Sequence, residues 1–182
     1  MLRVALFIIC TLFFLSFSRR SLTNPGSHGF YRFFVFETIL LLVLLNHPYW
    51  FRNPFSPLQL LSWLLLLTSI VFVLQALILL KRCGGHGRRE EMPENHPFEN
   101  TIHIVDQGLY RYIRHPMYSS LLLLAWGAFF KHITLLTIVL IVTATGFLIA
   151  AATVEERENI RFFGAAYKEY IRRTKMFIPW LL

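Results

Sequence analysis

Leu58–Leu80 reads LQLLSWLLLLTSIVFVLQALILL, 23 positions without a charged side chain. A membrane-spanning helix needs roughly 20 apolar residues, so this run alone predicts a span. Four further runs flank it. Val4–Ser18 precedes it, as does Phe33–Phe51, which is broken only by Glu37. Met117–Phe130 and Ile133–Val154 follow, parted by Lys131-His132, a connection short enough to imply a helical hairpin. The composition agrees. The chain has 182 residues, of which 55% are hydrophobic and 15% charged, and soluble domains carry about 25% charged residues. The fold class expected is all-α: a polytopic membrane protein of about five transmembrane helices, with a C-terminal hairpin and an amphipathic tail helix. Val4–Ser18 is read as a retained helix rather than a cleaved signal peptide, because Arg19-Arg20 resemble a stop-transfer flank.

The net charge of +8 does not imply nucleic acid, since membrane proteins gather Lys and Arg on the cytoplasmic side. In the five-span reading only Arg3, Arg52 and Lys131 fall on one side, and the other fifteen cations fall on the opposite side. That asymmetry predicts an N-terminus outside and a cytoplasmic C-terminus, in a bacterial inner membrane or the endoplasmic reticulum. Nine of the ten acids lie in the connection Lys81–Pro116 or after Val154, so a polar site is expected at the cytoplasmic surface. The chain then divides into three N-terminal helices (1–80), a cytoplasmic connection (81–116), the hairpin (117–154) and a cytoplasmic tail (155–182), together one domain.

Within the connection, Gly108-Leu-Tyr-Arg-Tyr-Ile-Arg-His-Pro-Met-Tyr118 carries the chemistry. Pro116 suits the first turn of a helix, where its missing N–H is harmless. Arg114 and His115 then sit beside free N–H groups that attract a carboxylate or phosphate. The plainer alternative makes Arg114 a headgroup contact and Tyr110, Tyr112 and Tyr118 an interfacial belt. Glu155-Glu156 are costly if lipid-exposed; they face a cavity or form a solvated helix end. Ile160, Phe163, Tyr167, Tyr170 and Ile171 recur at helical spacing, predicting an amphipathic helix, and Phe177–Leu182 an interfacial anchor. Glu37 is read as paired with Arg32. His86, His96, His103 and Cys83 match no zinc spacing, so no metal is expected. Gly84-Gly85-His86-Gly87 is no phosphate loop.

Gly108, Tyr110, Arg114, His115, Pro116 and Tyr118, followed by Glu155-Glu156, Phe163-Gly164, Tyr167, Tyr170 and Ile178-Pro179, resemble the isoprenylcysteine carboxyl methyltransferase family and the related phospholipid methyltransferases. The likeness covers about residues 102 to 180. It departs at Ser119-Ser120, where the family usually has a Gly, and His103 is offset by one position. The resemblance implies an integral-membrane enzyme using S-adenosylmethionine (AdoMet). It implies cofactor binding by His103, Gly108, Tyr110, Arg114, His115, Pro116, Tyr118, Glu155 and Glu156. Catalytic roles fall to Glu156 and to Arg173, or Arg172 beside it, which would orient an anionic acceptor. The acceptor expected is lipid-like, foremost the carboxylate of a prenylated cysteine, with a phospholipid amine or a small thiol as alternatives. It would enter from the bilayer near Ser119-Ser120. A membrane lipid-binding scaffold is the non-enzymatic alternative. A membrane reductase using NADPH is disfavoured by the missing dinucleotide fingerprint.

Overall fold

The computed structural model describes residues 1–85 and 101–179. Among the described residues six α-helices follow in order: α1 (Leu2–Ser18), α2 (His28–Asn46), α3 (Pro57–Cys83), α4 (Pro116–Phe129), α5 (Leu135–Phe163) and α6 (Ala165–Arg173). Among the described residues there is no strand, only an isolated parallel bridge between Ile113 and Lys175. The chain is an all-α polytopic membrane protein. Segments His28–Tyr49, Pro57–Cys83 and Leu135–Phe163 are long and apolar enough to cross a membrane. α1 and α4, at 17 and 14 residues, rise only about 25 and 21 Å. His86 and His96, the glutamates between Glu90 and Glu99, and Trp180 lie outside the described residues.

Local chemistry sets the helix ends, and it moves two of them from the expected places. α2 starts at His28, five residues before its apolar run, because the Ser27 hydroxyl accepts a hydrogen bond from the Phe30 N–H at 3.4 Å and so caps the helix. It ends at Asn46, and the rest of the run turns through His47–Tyr49. α5 begins with a capping box between Thr134 and Thr137, which satisfies two otherwise orphaned donors. It continues through Glu155 and Glu156 to Phe163. The single amphipathic helix expected across Ile160–Ile171 is instead two helices. Gly164 parts them with φ +63° and ψ −130°, a backbone that a residue with a Cβ rarely adopts.

Small residues set the packing. α4 lies chiefly against α3, and α5 against α2; α4 and α5 also touch across their short connection. At the α3–α4 contact a Cβ on Gly127 would stand 2.8 Å from Leu66 Cγ, and the Ser62 hydroxyl donates to the Gly127 carbonyl at 2.6 Å. Ala125 and Ala128 on α4, and Ala144, Ala151 and Ala152 on α5, are wholly buried. Close approach through small residues is how membrane helices gain contact without a hydrophobic drive. Glu37 does not pair with Arg32 as expected: its Oε2 accepts from Thr11 of α1 at 2.8 Å. Five positions of α2 separate the two residues, so they lie on different faces of the helix.

At one end of the bundle Lys131 is buried among aromatic rings. Its Nζ sits 3.6 Å from the Trp63 ring centroid and 5.6 Å from that of Trp50, and donates to Gln59 Oε1 at 3.1 Å. Gln59 returns a bond to the Lys131 carbonyl at 3.0 Å. The ring faces favour the ammonium, but burial prevails and pushes the Lys131 pKa down to about 8. Between that value and the ordinary 10.5 the unfolded chain holds a proton that the folded chain lacks, so stability rises with pH there. Detergent-solubilised protein should therefore gain thermal stability from pH 7.5 to about 10, and Lys131→Met should flatten that part of the profile.

Candidate functional site

A cavity of about 290 Å³ lies where the polar end of α5 meets α2, α4, α6 and the segment before α4. Six of the residues expected at a site line it: His103, Tyr110, Arg114, His115, Tyr118 and Glu155. Its apolar part comes from Phe17, Phe36, Val73, Leu80 and Leu121. Phe17, Arg32, Phe36, Asn159, Tyr167 and Tyr170 are lining residues that the sequence had not marked as a site. Tyr167 and Tyr170 showed as helical periodicity and as part of the family pattern, without a site role. Arg32 had been read only as a partner for Glu37, and Asn159 carried no local signal.

Other expected residues lie behind the wall or outside it. Arg114 Nε donates to Glu156 Oε1 at 2.6 Å, and its Nη1 to the carbonyl of Thr174 at 2.6 Å. His115 Nε2 lies 3.2 Å from the same Glu156 oxygen. Glu156 is thus a brace beneath the cavity, and Glu155 is the carboxylate that lines it. Gly108 is not in the wall; at φ +56° it packs so tightly that a Cβ would meet Leu79 Cδ1 at 2.7 Å. Pro116 is the buried first residue of α4. Arg173 lies outside the cavity, with 55% of its side chain accessible, 3.0 Å from Asp106 Oδ2. Ser119 is also turned away, donating to the carbonyls of His115 and Phe177, whereas Ser120 lines the cavity. Tyr110 and Tyr118 are buried, so they form no exposed belt; Tyr112 is 51% exposed. Phe177, expected in an interfacial anchor, is 4% exposed and 6.2 Å from the His115 ring.

Residues distant in sequence complete the electrostatics. Glu155 Oε1 is 4.0 Å from His115 Nδ1, and His28, His115, Arg32 and the Tyr118 hydroxyl all act on its carboxylate. Glu158, one turn on, holds His28 Nδ1 at 2.6 Å and accepts from the His28 backbone N–H at 3.2 Å. A carboxylate at the start of α2 suits that helix's dipole. Opposite, the Tyr170 hydroxyl donates to the Tyr110 carbonyl at 2.6 Å, and Asn159 Nδ2 donates to the Tyr167 hydroxyl at 3.4 Å. Burial first, and the Glu155 charge second, push the Tyr110 and Tyr167 phenols well above their ordinary range; burial does the same to Tyr170. These phenols stay neutral at physiological pH, so they act as hydrogen-bond donors and ring faces rather than bases. Among the described residues no His, Cys, Asp and Glu cluster could hold a metal ion.

The profile of the phospholipid methyltransferase family matches residues 57–166. The chain belongs to that family. The match takes in α3, α4, α5 and every motif residue from Gly108 to Glu156. Over 72 residues the chain is 32% identical to methanethiol S-methyltransferase 1 of Bradyrhizobium diazoefficiens, covering 40% of this chain and 25% of that protein. It is 31% identical over 72 residues to methanethiol S-methyltransferase of Mycobacterium tuberculosis, covering 40% and 29%. It is 30% identical over 73 residues to the protein of that name from Pseudomonas deceptionensis, covering 40% and 27%. These stretches span between a quarter and three tenths of each relative. No solved structure matches the chain.

Arg114 and Glu156 are nearly buried, with 9% and 14% of their side chains accessible. Removing one partner of a buried pair leaves the other charge uncompensated. Arg114→Ala should cost about 3–5 kcal/mol, seen as a lower unfolding temperature in detergent. It should also speed proteolysis after α6, because the Thr174 carbonyl loses its donor.

Proposed function

We propose that this chain is an integral-membrane AdoMet-dependent methyltransferase acting on an apolar acceptor, with residues 1–182 working as one unit of three N-terminal helices (1–80), connection (81–116), hairpin (117–154) and tail (155–182). The observation that carries the reading is the cavity. One wall has aromatic faces, neutral phenol donors and a carboxylate, as a charged, aromatic cofactor requires. The other wall is hydrocarbon. Family membership supports the same chemistry. Tyr110, Tyr167 and Tyr118 offer ring faces to an adenine or a sulfonium. Glu155 offers an acceptor to ribose hydroxyls or an ammonium. The first-turn N–H groups of α4 favour a carboxylate. AdoMet, when bound, supplies the methyl group. The protein aligns the acceptor, excludes water and leaves its phenols protonated. Alignment alone can lower such a barrier by about 7–11 kcal/mol.

Arg114 suits a supporting role better than direct recognition, because Glu156 and the Thr174 carbonyl already occupy its Nε and Nη1. Arg173, exposed beside Asp106, does not line this cavity, which favours the tyrosines and Glu155 as the residues that meet the ligands. Among acceptors, the relatives' names favour a small thiol over a prenylcysteine carboxylate, and the family's description leaves a phospholipid amine as the remaining choice. Labelled AdoMet with purified protein and a panel of alkanethiol, prenylcysteine and phosphatidylethanolamine should transfer label to the thiol foremost. Glu155→Gln should weaken AdoMet binding by about 1.5–3 kcal/mol in calorimetry, the usual loss for a charged hydrogen bond. A folded wild type that binds no AdoMet would return the scaffold reading.

We also infer a cytoplasmic site, on the charge asymmetry of the connections. Reporters fused at Leu182 and after Asn53 should then lie on opposite sides of the membrane, the Leu182 reporter in the cytoplasm.

A further inference from the structure

His115 has the two features of a positioned base. Its side chain lines the cavity, and a carboxylate behind the wall orients it. Glu156 Oε1 lies 3.2 Å from His115 Nε2 and also accepts from Arg114 Nε at 2.6 Å. An ionised carboxylate can only accept, so in a neutral ring Nε2 carries the proton and Nδ1 keeps its lone pair. Nδ1 stands 4.0 Å from Glu155 Oε1, too far for a hydrogen bond. Of these two glutamates Glu155 alone lines the cavity, so the Nδ1 edge of the ring is the one turned toward it. The backbone fixes the root of the side chain: the His115 N–H donates to the Met176 carbonyl at 3.2 Å, and the His115 carbonyl accepts from the Ser119 N–H at 2.9 Å. The Tyr118 and Phe177 ring centroids lie 5.4 and 6.2 Å from its own. The charged and titratable groups around the ring and Glu155 are Arg114 and Tyr110 before α4, Tyr118 on α4, Glu156 and Glu158 on α5, His28 and Arg32 on α2, and Tyr167 and Tyr170 on α6.

We propose that His115 is a catalytic residue whose Nδ1 takes the proton of a thiol acceptor, with Glu156 as the positioning residue that fixes its tautomer. This rests on the methyl-transfer reading above and on a thiol as the acceptor. A thiol needs such help, because the thiolate is the nucleophile and a free thiol titrates near 8.5. The phenols of the cavity are held protonated by burial and cannot supply it. In the step, the thiol S–H bond breaks as the Nδ1–H bond forms. The sulfur's electron pair makes the new carbon–sulfur bond, the donor's methyl–sulfonium bond breaks, and its electron pair stays on the donor's sulfur. The imidazolium then gives its proton to water. Glu155, beside Nδ1, faces the charge while it lasts. A carboxylate that orients an imidazole, which in turn activates a nucleophile, is a recurring catalytic arrangement; here the nucleophile belongs to the substrate.

The test uses the full chain in detergent, with His115→Gln, whose amide keeps a donor for Glu156 but has no basic lone pair. AdoMet affinity is measured by calorimetry. The ratio kcat/KM is measured across pH for a short alkanethiol and for an acidic aryl thiol that is already ionised at about pH 7.5. With the alkanethiol the wild type should be level between about pH 7.5 and 8.5, above the ordinary range of an imidazole and below the thiol's own ionisation. His115→Gln should lower the alkanethiol value about a hundredfold at pH 7.5 and turn the level stretch into a rise of about tenfold per pH unit, set by the thiol itself. The aryl thiol should lose less than about fivefold, and AdoMet affinity should stay within about threefold. Equal losses for the two thiols in folded His115→Gln overturn the proposal. So does a tenfold loss of AdoMet affinity with the level stretch retained, which would give His115 to the donor. A wild type whose alkanethiol rate climbs about tenfold between pH 7.5 and 8.5 overturns it whether or not the variant folds. A wild type that methylates prenylcysteine or phosphatidylethanolamine and no thiol overturns it while sparing the methyl-transfer reading. A wild type that binds no AdoMet sinks both.

Discussion

Arg114 and Glu156 meet at 2.6 Å across 42 positions of sequence, and the geometry of the site depends on that contact. Arg114 stands two residues before α4. Glu156 lies on α5 beyond its apolar run. The same guanidinium donates to the Thr174 carbonyl at the end of α6, and the adjoining backbone pairs with the tail through Arg114 N–H to Lys175 and Lys175 N–H to Tyr112. One cation thus ties the start of the hairpin, its far end and the returning tail. A buried ion pair adds little stability relative to apolar packing, but it fixes register strongly because a lone buried charge is so costly. With these three elements pinned, Glu155 is left facing the cavity and Glu156 is held beneath it.

The second constraint is the length of α5. Its 29 residues exceed the roughly 20 that a bilayer needs by about two and a half turns, so one rod carries the apolar span and the polar site. Cavity residues on its last turns, Glu155, Asn159 and Phe163, inherit the rigidity of the membrane bundle. Gly164 then breaks the rod and sends α6 back over the cavity, where Tyr167 and Tyr170 close the polar side. Small residues on α4 and α5 draw the bundle close at depth, and bulky Phe17, Phe36 and Leu121 take up the space beside the site. The outcome is a chamber with one polar, aromatic wall and one hydrocarbon wall. That division is what the proposed transfer between a water-soluble donor and an apolar acceptor requires.

Lys131 and Arg32 show two ways of keeping a cation inside such a bundle. Lys131 is enclosed by Trp50, Trp63 and Gln59 at the end of the bundle away from the cavity, and it ties the loop before α3 to the turn between α4 and α5. Arg32 lies 5.9 and 6.0 Å from the Phe17 and Phe36 ring centroids, which are themselves 6.4 Å apart. The first serves packing. The second places positive charge on the cavity wall.

The sequence by itself determined the all-α membrane class, the apolar runs, the hairpin and the motif from Gly108 to Tyr118, because hydropathy and helical periodicity are local properties. It also marked the two glutamates, since adjacent carboxylates at the end of an apolar helix are costly wherever they point. What it could not supply was direction and partner. Glu155 and Glu156 are neighbours in sequence, about 100° apart around the helix, and only the packing of α5 against α2 and α4 decided which faces the cavity. The Gly164 break could have been read from Phe163-Gly164, but the periodicity continued through it. Arg32, His28 and Glu158 were silent because their contacts join positions up to 130 apart. Tertiary structure alone decided which of these polar residues line the cavity and which brace it, because a buried charge takes its role from its partner, and no local pattern names a partner on another helix.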